Sequence, residues 1–222
     1  MVSMKKKFFT FSTVLVILGV AFLFLAFAPL IKDEVWFYLK ELKNQKYTLG
    51  DKNGQKDTVF ARFLTTTPID IEPVNRDFAI IIERIGVNAP IVADVATNNE
   101  SMYNAALKNG VAHAAFSDYP SEKAGNVYLF AHTSLNFWDL GKYSAVFNLL
   151  KKLDYDDRIH IFYKGKTYVY EVVNKEVVPC WNMNPITRTT IESLLTLQTC
   201  DPPGTTLNRY VVTAKLKEVL NP

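Results

Sequence analysis

The sequence predicts an all-β fold: a closed, mainly antiparallel barrel of about eight strands with two or three short helices, preceded by an N-terminal transmembrane helix. Three observations predict it. Residues 8–31 carry no charge. From about Arg76 onward, short runs of β-branched and aromatic residues follow one another between turn-forming residues. Few helical patterns separate these runs, so parallel crossovers are scarce and antiparallel pairing into a closed sheet is expected.

The chain's 222 residues suit one domain with an appendage. An apolar fraction of 49% and a charged fraction of 21% exclude wholesale disorder. Two cysteines exclude a disulfide-dense scaffold and any four-cysteine metal site. The net charge of +3 comes from Lys5, Lys6 and Lys7, the only charges among residues 1–31; beyond them 22 bases balance 22 acids. The folded part therefore has no basic excess, and nucleic acid is not an expected partner.

A helix of 24 residues over 8–31 spans roughly 36 Å, enough to cross a bilayer core. Ala26-Phe27-Ala28 resembles a signal-peptidase site. The apolar stretch is longer than a signal core, however, and Pro29 would follow the scissile bond, so an uncleaved anchor is the reading favoured. The lysines place residues 1–7 in the cytoplasm and everything after Ile31 outside. Residues 32–75 read as a stalk. An amphipathic helix over 32–43 comes first, with Val35, Leu39 and Leu42 at helical spacing, then a polar linker over 50–57, then Thr65 to Pro73, where two prolines disfavour helix.

Within 76–222, strands are expected at Phe78–Ile82, Ala89–Ala93, Val111–Ala115, Asn126–His132, Arg158–Tyr163, Lys166–Val178, Leu195–Cys200 and Asn208–Glu218. Lys164-Gly165 is a hairpin signal. Asn98–Asn109 reads as a helix capped by Asn98 or Asn99 and ended by Gly110. Tyr143–Leu153, with Val146, Phe147, Leu149 and Leu150, is expected to be helical.

Two cysteines in an exported domain raise the possibility of a Cys180–Cys200 disulfide, worth roughly 3 kcal/mol for a loop of about twenty residues. Local sequence favours another role for Cys200. It ends a strand at Asp201-Pro202-Pro203-Gly204, a turn that leaves the last side chain at an open rim. Strand alternation puts Thr196, Gln198 and Cys200 on the outer face, with Leu195, Leu197 and Thr199 on the other. Arg209, on the outer face of the next strand, falls beside Cys200, where a guanidinium favours a thiolate; a rim ion pair with Asp201 or Glu218 is its bland alternative. His132 closes an apolar strand at a similar rim position. His160 alternates with apolar residues and is expected to face solvent. No pair of Cys or His has common zinc spacing, so no metal or other cofactor is expected, and no acidic cluster suggests calcium.

Thr196-Leu197-Gln198-Thr199-Cys200, followed nine residues later by Arg209 in Asn208-Arg209-Tyr210-Val211-Val212, resembles the T-L-x-T-C…R signature of bacterial sortases. Gly125-Asn126-Val127 through Ala131-His132 resembles their histidine-bearing strand. Ile85 to Val92 and Gly110 to His113 resemble further sortase segments, in the family's order over about Arg76 to Leu216. The resemblance implies an eight-stranded sortase-type barrel and a cysteine transpeptidase that cleaves an LPXTG-like sorting signal. By the same resemblance Cys200 is the nucleophile, His132 the general acid/base, Arg209 the oxyanion and substrate group, and Thr199 a substrate-binding residue. It further implies a thioester on Cys200, sorting-signal-bearing exported proteins as partners, and an amine acceptor on a cell-wall precursor or surface protein. Residues 76–222 are then an extracellular catalytic domain on a single-pass cell-membrane anchor. An exported cysteine hydrolase, or a non-catalytic barrel locked by a Cys180–Cys200 disulfide, are the alternatives.

Overall fold

The computed structural model describes residues 2–50, 68–96, 100–131, 143 and 145–221, without the side chains of 2–10, 25–30 and 100. Residues 51–57 of the 50–57 polar linker, the cap at Asn98 or Asn99, and His132 lie outside the described residues.

Helix α1 (Val2–Leu42) is continuous, so the apolar run and the amphipathic segment after it form one element. Its residues 11–24 are exposed throughout. Among the described residues, no helix is long and apolar enough to cross a membrane. The end of α1 docks on the barrel. Phe37 is buried in the main core, and Trp36 Nε1 donates to Tyr47 Oη at 2.8 Å. Buried Lys40 donates to the Arg84 carbonyl, and loss of water pushes its ammonium below the usual lysine range.

The 32–75 segment also contributes two short strands, β1 (Tyr47–Leu49) and β2 (Ile69–Ile71), which pair in parallel. They sit outside strands β3 (Phe78–Ile82) and β7 (Arg158–Tyr163), where Tyr47, Leu49 and Ile71 pack on Ala79, Ile81 and Phe162. That cover explains why β3 is apolar at every position: Ile80 and Ile82 face the barrel interior, while Ala79 and Ile81 face β1 and β2. It also corrects the reading of His160. Its ring points outward, as alternation requires, but it is buried, with Nε2 3.1 Å from Glu83 Oε1.

The remaining barrel strands are β4 (Val87–Val95), β5 (Val111–Ala114), β6 (Gly125–Phe130), β8 (Lys166–Pro179), β9 (Ser193–Asp201) and β10 (Asn208–Leu220). The barrel closes in the order β10-β8-β7-β3-β4-β5-β6-β9. Six of its ladders are antiparallel; β4–β5 and β6–β9 are parallel. The β4–β5 crossover is α2 (Glu100–Asn109). Gly110 lets α2 turn straight into β5, since a Cβ there would lie 2.3 Å from the Pro90 carbonyl oxygen. The expected hairpin is present, with Lys164 and Gly165 at φ 49° and 80°.

The interior holds Leu129, Ile159, Ile161, Tyr170, Leu195, Leu197 and Val212, each almost wholly shielded from water. Full burial of an aliphatic side chain is worth about 1.5–3 kcal/mol. The expected helix over Tyr143–Leu153 is instead a series of tight turns ending in a 3₁₀ turn at Leu150–Lys152. Its backbone bonds include several from an N–H to the carbonyl three residues back, as in Leu150 to Phe147 and Leu153 to Leu150. Phe147, Leu150 and Leu153 are fully buried. Their three-residue spacing matches a 3₁₀ repeat and drifts off one face of an α-helix.

Candidate active site

The chemistry collects on the outer face of β6, β9 and β10. Cys200 and Arg209 are direct partners in the β9–β10 ladder. The turn between the strands includes Gly204 at φ +74° and a Thr205 N–H bond to the Pro202 carbonyl. Thr199 is buried while Cys200 is half-buried, so the alternation inferred from sequence places the sulfur on the outer side. Arg209 Nη1 lies 3.7 Å from Cys200 Sγ and donates to the Asn208 carbonyl at 3.2 Å. At that distance the guanidinium is placed to donate to negative charge that develops beside the sulfur. The ion pairs imagined for Arg209 at the rim are not what forms at Asp201, whose carboxylate pairs with Lys151.

Thr199 was expected to bind substrate. Its hydroxyl donates to the Ala131 carbonyl at 3.1 Å, and the Ala131 N–H donates to the Gln198 carbonyl at 3.2 Å. These two bonds fix the chain to β9 up to the residue before His132. Neither Cys180 nor Cys200 is in a disulfide in this structure.

Cys200 and Arg209 open into a cavity of about 300 Å³. Tyr103 from α2, Phe116, Phe130 from β6, and Met183 and Ile186 from the β8–β9 connection line it. Tyr103 stacks on Phe130 with ring centroids 5.4 Å apart, and burial raises its phenol above the usual range, with the Cys200 charge adding to the effect. The floor carries a hydrogen bond from Tyr128 Oη to Gln198 Oε1. Exposed Cys180 also lines the cavity.

The β8–β9 connection includes the short helix α3 (Asn184–Thr187) and is lashed to the barrel. Arg188 Nη2 donates to Thr196 Oγ1 at 2.7 Å and Thr213 Oγ1 at 2.8 Å, and burial lowers its pKa. Asn126 Nδ2 donates to the Pro185 carbonyl at 3.0 Å. Sequence reasoning missed Tyr103, Tyr128 and Arg188. For Arg188 no local signal exists, since its partners sit on two other strands. The outward placement of Gln198 was legible from alternation, but its Tyr128 partner was not.

His113 is fully buried and lies away from this cavity. Its Nε2 is 3.0 Å from both Ser117 Oγ and the Asp118 carbonyl oxygen, and burial lowers its pKa.

A sortase-domain family model matches residues 80–217. The chain belongs to the sortase family. Sortases are in general cysteine transpeptidases that act on surface proteins bearing sorting signals. Solved sortases share the fold. Sortase A from Corynebacterium diphtheriae is 22% identical, with 79% of this chain and 74% of that one covered and a TM-score of 0.55. Sortase C-1 from Actinomyces oris is 24% identical, with 65% and 76% covered and a TM-score of 0.54. A sortase D5 transpeptidase from Clostridium perfringens is 24% identical, with 67% and 83% covered and a TM-score of 0.51. No curated protein matches the sequence.

Proposed function

We propose that this sortase is a membrane-anchored transpeptidase that uses Cys200, His132 and Arg209 on LPXTG-like sorting signals of exported proteins. The observation that carries the reading is the Cys200–Arg209 pair, 3.7 Å apart and lining a cavity of mixed polar and apolar character. The Cys200 thiolate attacks the peptide carbonyl, and Arg209 donates to the developing oxyanion. His132 gives its proton to the leaving amine, and a thioester remains on Cys200. An amine on a wall precursor or another surface protein then attacks the thioester with His132 as base, forming a new amide. The lining mixes apolar Phe116, Phe130, Met183 and Ile186, which suit aliphatic side chains of an extended peptide, with Tyr128, Asn182 and Gln198, which offer polar partners. Thr199 serves by holding Ala131, the residue before His132.

The anchor is part of the proposal. A helix whose apolar residues 11–24 are all exposed would be costly in water and is satisfied in lipid. With Lys5, Lys6 and Lys7 at the cytoplasmic end, the barrel stands outside the cell, where exported substrates pass.

The test is product analysis on an LPXTG-type peptide with and without an added amine. Amide product that replaces acid product as amine rises, and disappears in Cys200→Ala, supports the reading. Acid product alone at every amine concentration would make the protein a hydrolase. Turnover by Cys200→Ala at the wild-type rate would remove Cys200 from the mechanism.

A further inference from the structure

We propose that Arg188 is a positioning residue for substrate selection: it pins the helical turn that carries Met183 and Ile186 to the barrel, and so fixes where those two side chains stand in the cavity they share with Cys200. The inference rests on the reading of this cavity as the peptide site. Met183 and Ile186 belong to one short unit. Helix α3 has Met183 as its N-cap residue and Arg188 as its C-cap residue. The Ile186 and Thr187 N–H groups donate to the Met183 carbonyl, and the Arg188 N–H donates to the Asn184 carbonyl. A single helical turn has little stability of its own, so whatever holds it decides where its side chains stand.

Two polar attachments hold it. Arg188 Nη2 donates to Thr196 Oγ1 at 2.7 Å and to Thr213 Oγ1 at 2.8 Å. Those threonines are partners in the β9–β10 ladder, on the same face as the Cys200–Arg209 pair and four residues from it along β9. Thr196 Oγ1 in turn donates to Asn126 Oδ1 at 2.7 Å, and Asn126 Nδ2 donates to the Pro185 carbonyl of α3 at 3.0 Å. Asn126, Thr196 and Thr213 are each 5% exposed or less, so these bonds are shielded from water. Apolar contact is the other hold: Ile186 packs on the cluster that includes Ala106, Tyr128 and Phe130. That contact keeps α3 on the barrel without Arg188, and Arg188 sets its exact place.

Arg188 is poorly suited to stability alone. It is half-buried, the two side-chain acceptors of its Nη2 are neutral hydroxyls, and its Nε is buried with no hydrogen-bond partner among the described residues. A desolvated cation met by neutral groups costs stability. What the cation supplies is direction: one nitrogen bridges β9 and β10 with charge-assisted bonds, which locates α3 both along and across the ladder. Apolar packing alone has no such directionality. A fixed wall discriminates between side chains that differ by a few methylenes by about tenfold or more, whereas a wall that yields admits the larger one.

The experiment uses the full chain in detergent and compares wild type, Arg188→Met, Thr213→Val and Thr213→Ser. The probes are an LPXTG-type peptide and the same peptide with phenylalanine in place of its leucine. Three readouts are taken well below each melting temperature: kcat and KM on both peptides, the iodoacetamide alkylation rate of Cys200, resolved from Cys180 by peptide mass, and hydrogen exchange over residues 183–188. Wild type should favour the leucine peptide in kcat/KM. Arg188→Met should shrink that preference about tenfold through KM, with kcat on the leucine peptide within about threefold and alkylation within about twofold, because Cys200 and Arg209 are untouched. Exchange over 183–188 should quicken about tenfold. Thr213→Val, which removes one of the two acceptors, should shift the preference the same way by about threefold, and Thr213→Ser, which keeps the hydroxyl, should match wild type. No preference in wild type, or an unchanged preference in Arg188→Met, overturns the proposal. So does a loss of kcat and alkylation that is equal for both peptides, the mark of a merely structural role. Should wild type turn over neither peptide, the functional reading fails, and the exchange series still decides whether Arg188 pins α3, with unchanged exchange in Arg188→Met overturning it.

Discussion

Replacing Arg209 by lysine and by methionine separates its charge from its shape. Nη1 lies 3.7 Å from Cys200 Sγ in a half-buried site. At an effective dielectric near 20, a unit positive charge at that distance attracts a unit negative charge by about 4 kcal/mol before solvent screening. Partial exposure of both groups reduces this to roughly 1–2 kcal/mol, or about five- to thirtyfold in a rate that depends on negative charge at the sulfur. Arg209→Met forfeits that attraction, so iodoacetamide alkylation of Cys200 should slow by about that factor at pH 7. Arg209→Lys keeps a positive charge near the sulfur, and its alkylation should stay within about threefold of wild type. Turnover should divide the two differently. The ammonium cannot reproduce the planar pair of donors that meets an oxyanion, and loss of such a donor costs about 10²–10³ in kcat. Both variants should therefore be severely slow on a sorting peptide, while alkylation is slow in only one. Arg209→Lys with near-normal kcat would refute the oxyanion role, and Arg209→Met alkylated at the wild-type rate would refute the charge argument.

Thr199→Val removes the hydroxyl that holds the Ala131 carbonyl; kcat should fall about tenfold while Cys200 alkylation stays within twofold, and stability should drop by about 1 kcal/mol. Phe37→Ala empties a core position filled by α1; the expected loss of about 3–5 kcal/mol corresponds to roughly 10 °C in melting temperature, and an unchanged melting temperature would show that the docked helix adds nothing. The hydrogen bond from His160 holds the Glu83 carboxyl below its ordinary pKa of 4.5. A depressed carboxylate stabilises the fold above its unfolded pKa and loses that effect as pH falls through the folded value. The melting-temperature gap between wild type and Glu83→Gln should therefore be largest near neutrality and shrink below about pH 4.5; a gap independent of pH would contradict the assignment.

The strands were legible because alternation is a local signal. Leu195 and Leu197 point into the core, Cys200 opens to the cavity, and Arg209 follows as its ladder partner. What alternation cannot convey is what lies over an outward face. His160 points outward and is nonetheless buried, because the barrel wall at β3 and β7 is covered by β1 and β2. Those strands come from a stretch whose composition reads as a stalk. The turn at 150–152 was misread for a related reason: Val146, Phe147, Leu149 and Leu150 suit an α-helix locally, and burial of Phe147, Leu150 and Leu153 selects the tighter repeat. The parallel β6–β9 ladder joins strands far apart in the chain, and no short-range pattern announces it. The Lys151–Asp201 pair likewise joins residues fifty apart in the chain, and the Arg188–Thr213 bond joins residues twenty-five apart.

The central claim is that Cys200 carries the acyl group between a sorting peptide and an amine. Brief mixing of the full chain with an LPXTG-type peptide, acid quenching and peptide mapping by mass spectrometry tests it directly. The account predicts a hydroxylamine-labile acyl mass on the fragment containing Cys200, none on Cys180, and loss of the adduct when an amine is added before the quench. Peptide cleavage with no acyl mass on Cys200 at any quench time, and full cleavage by Cys200→Ala, would contradict it.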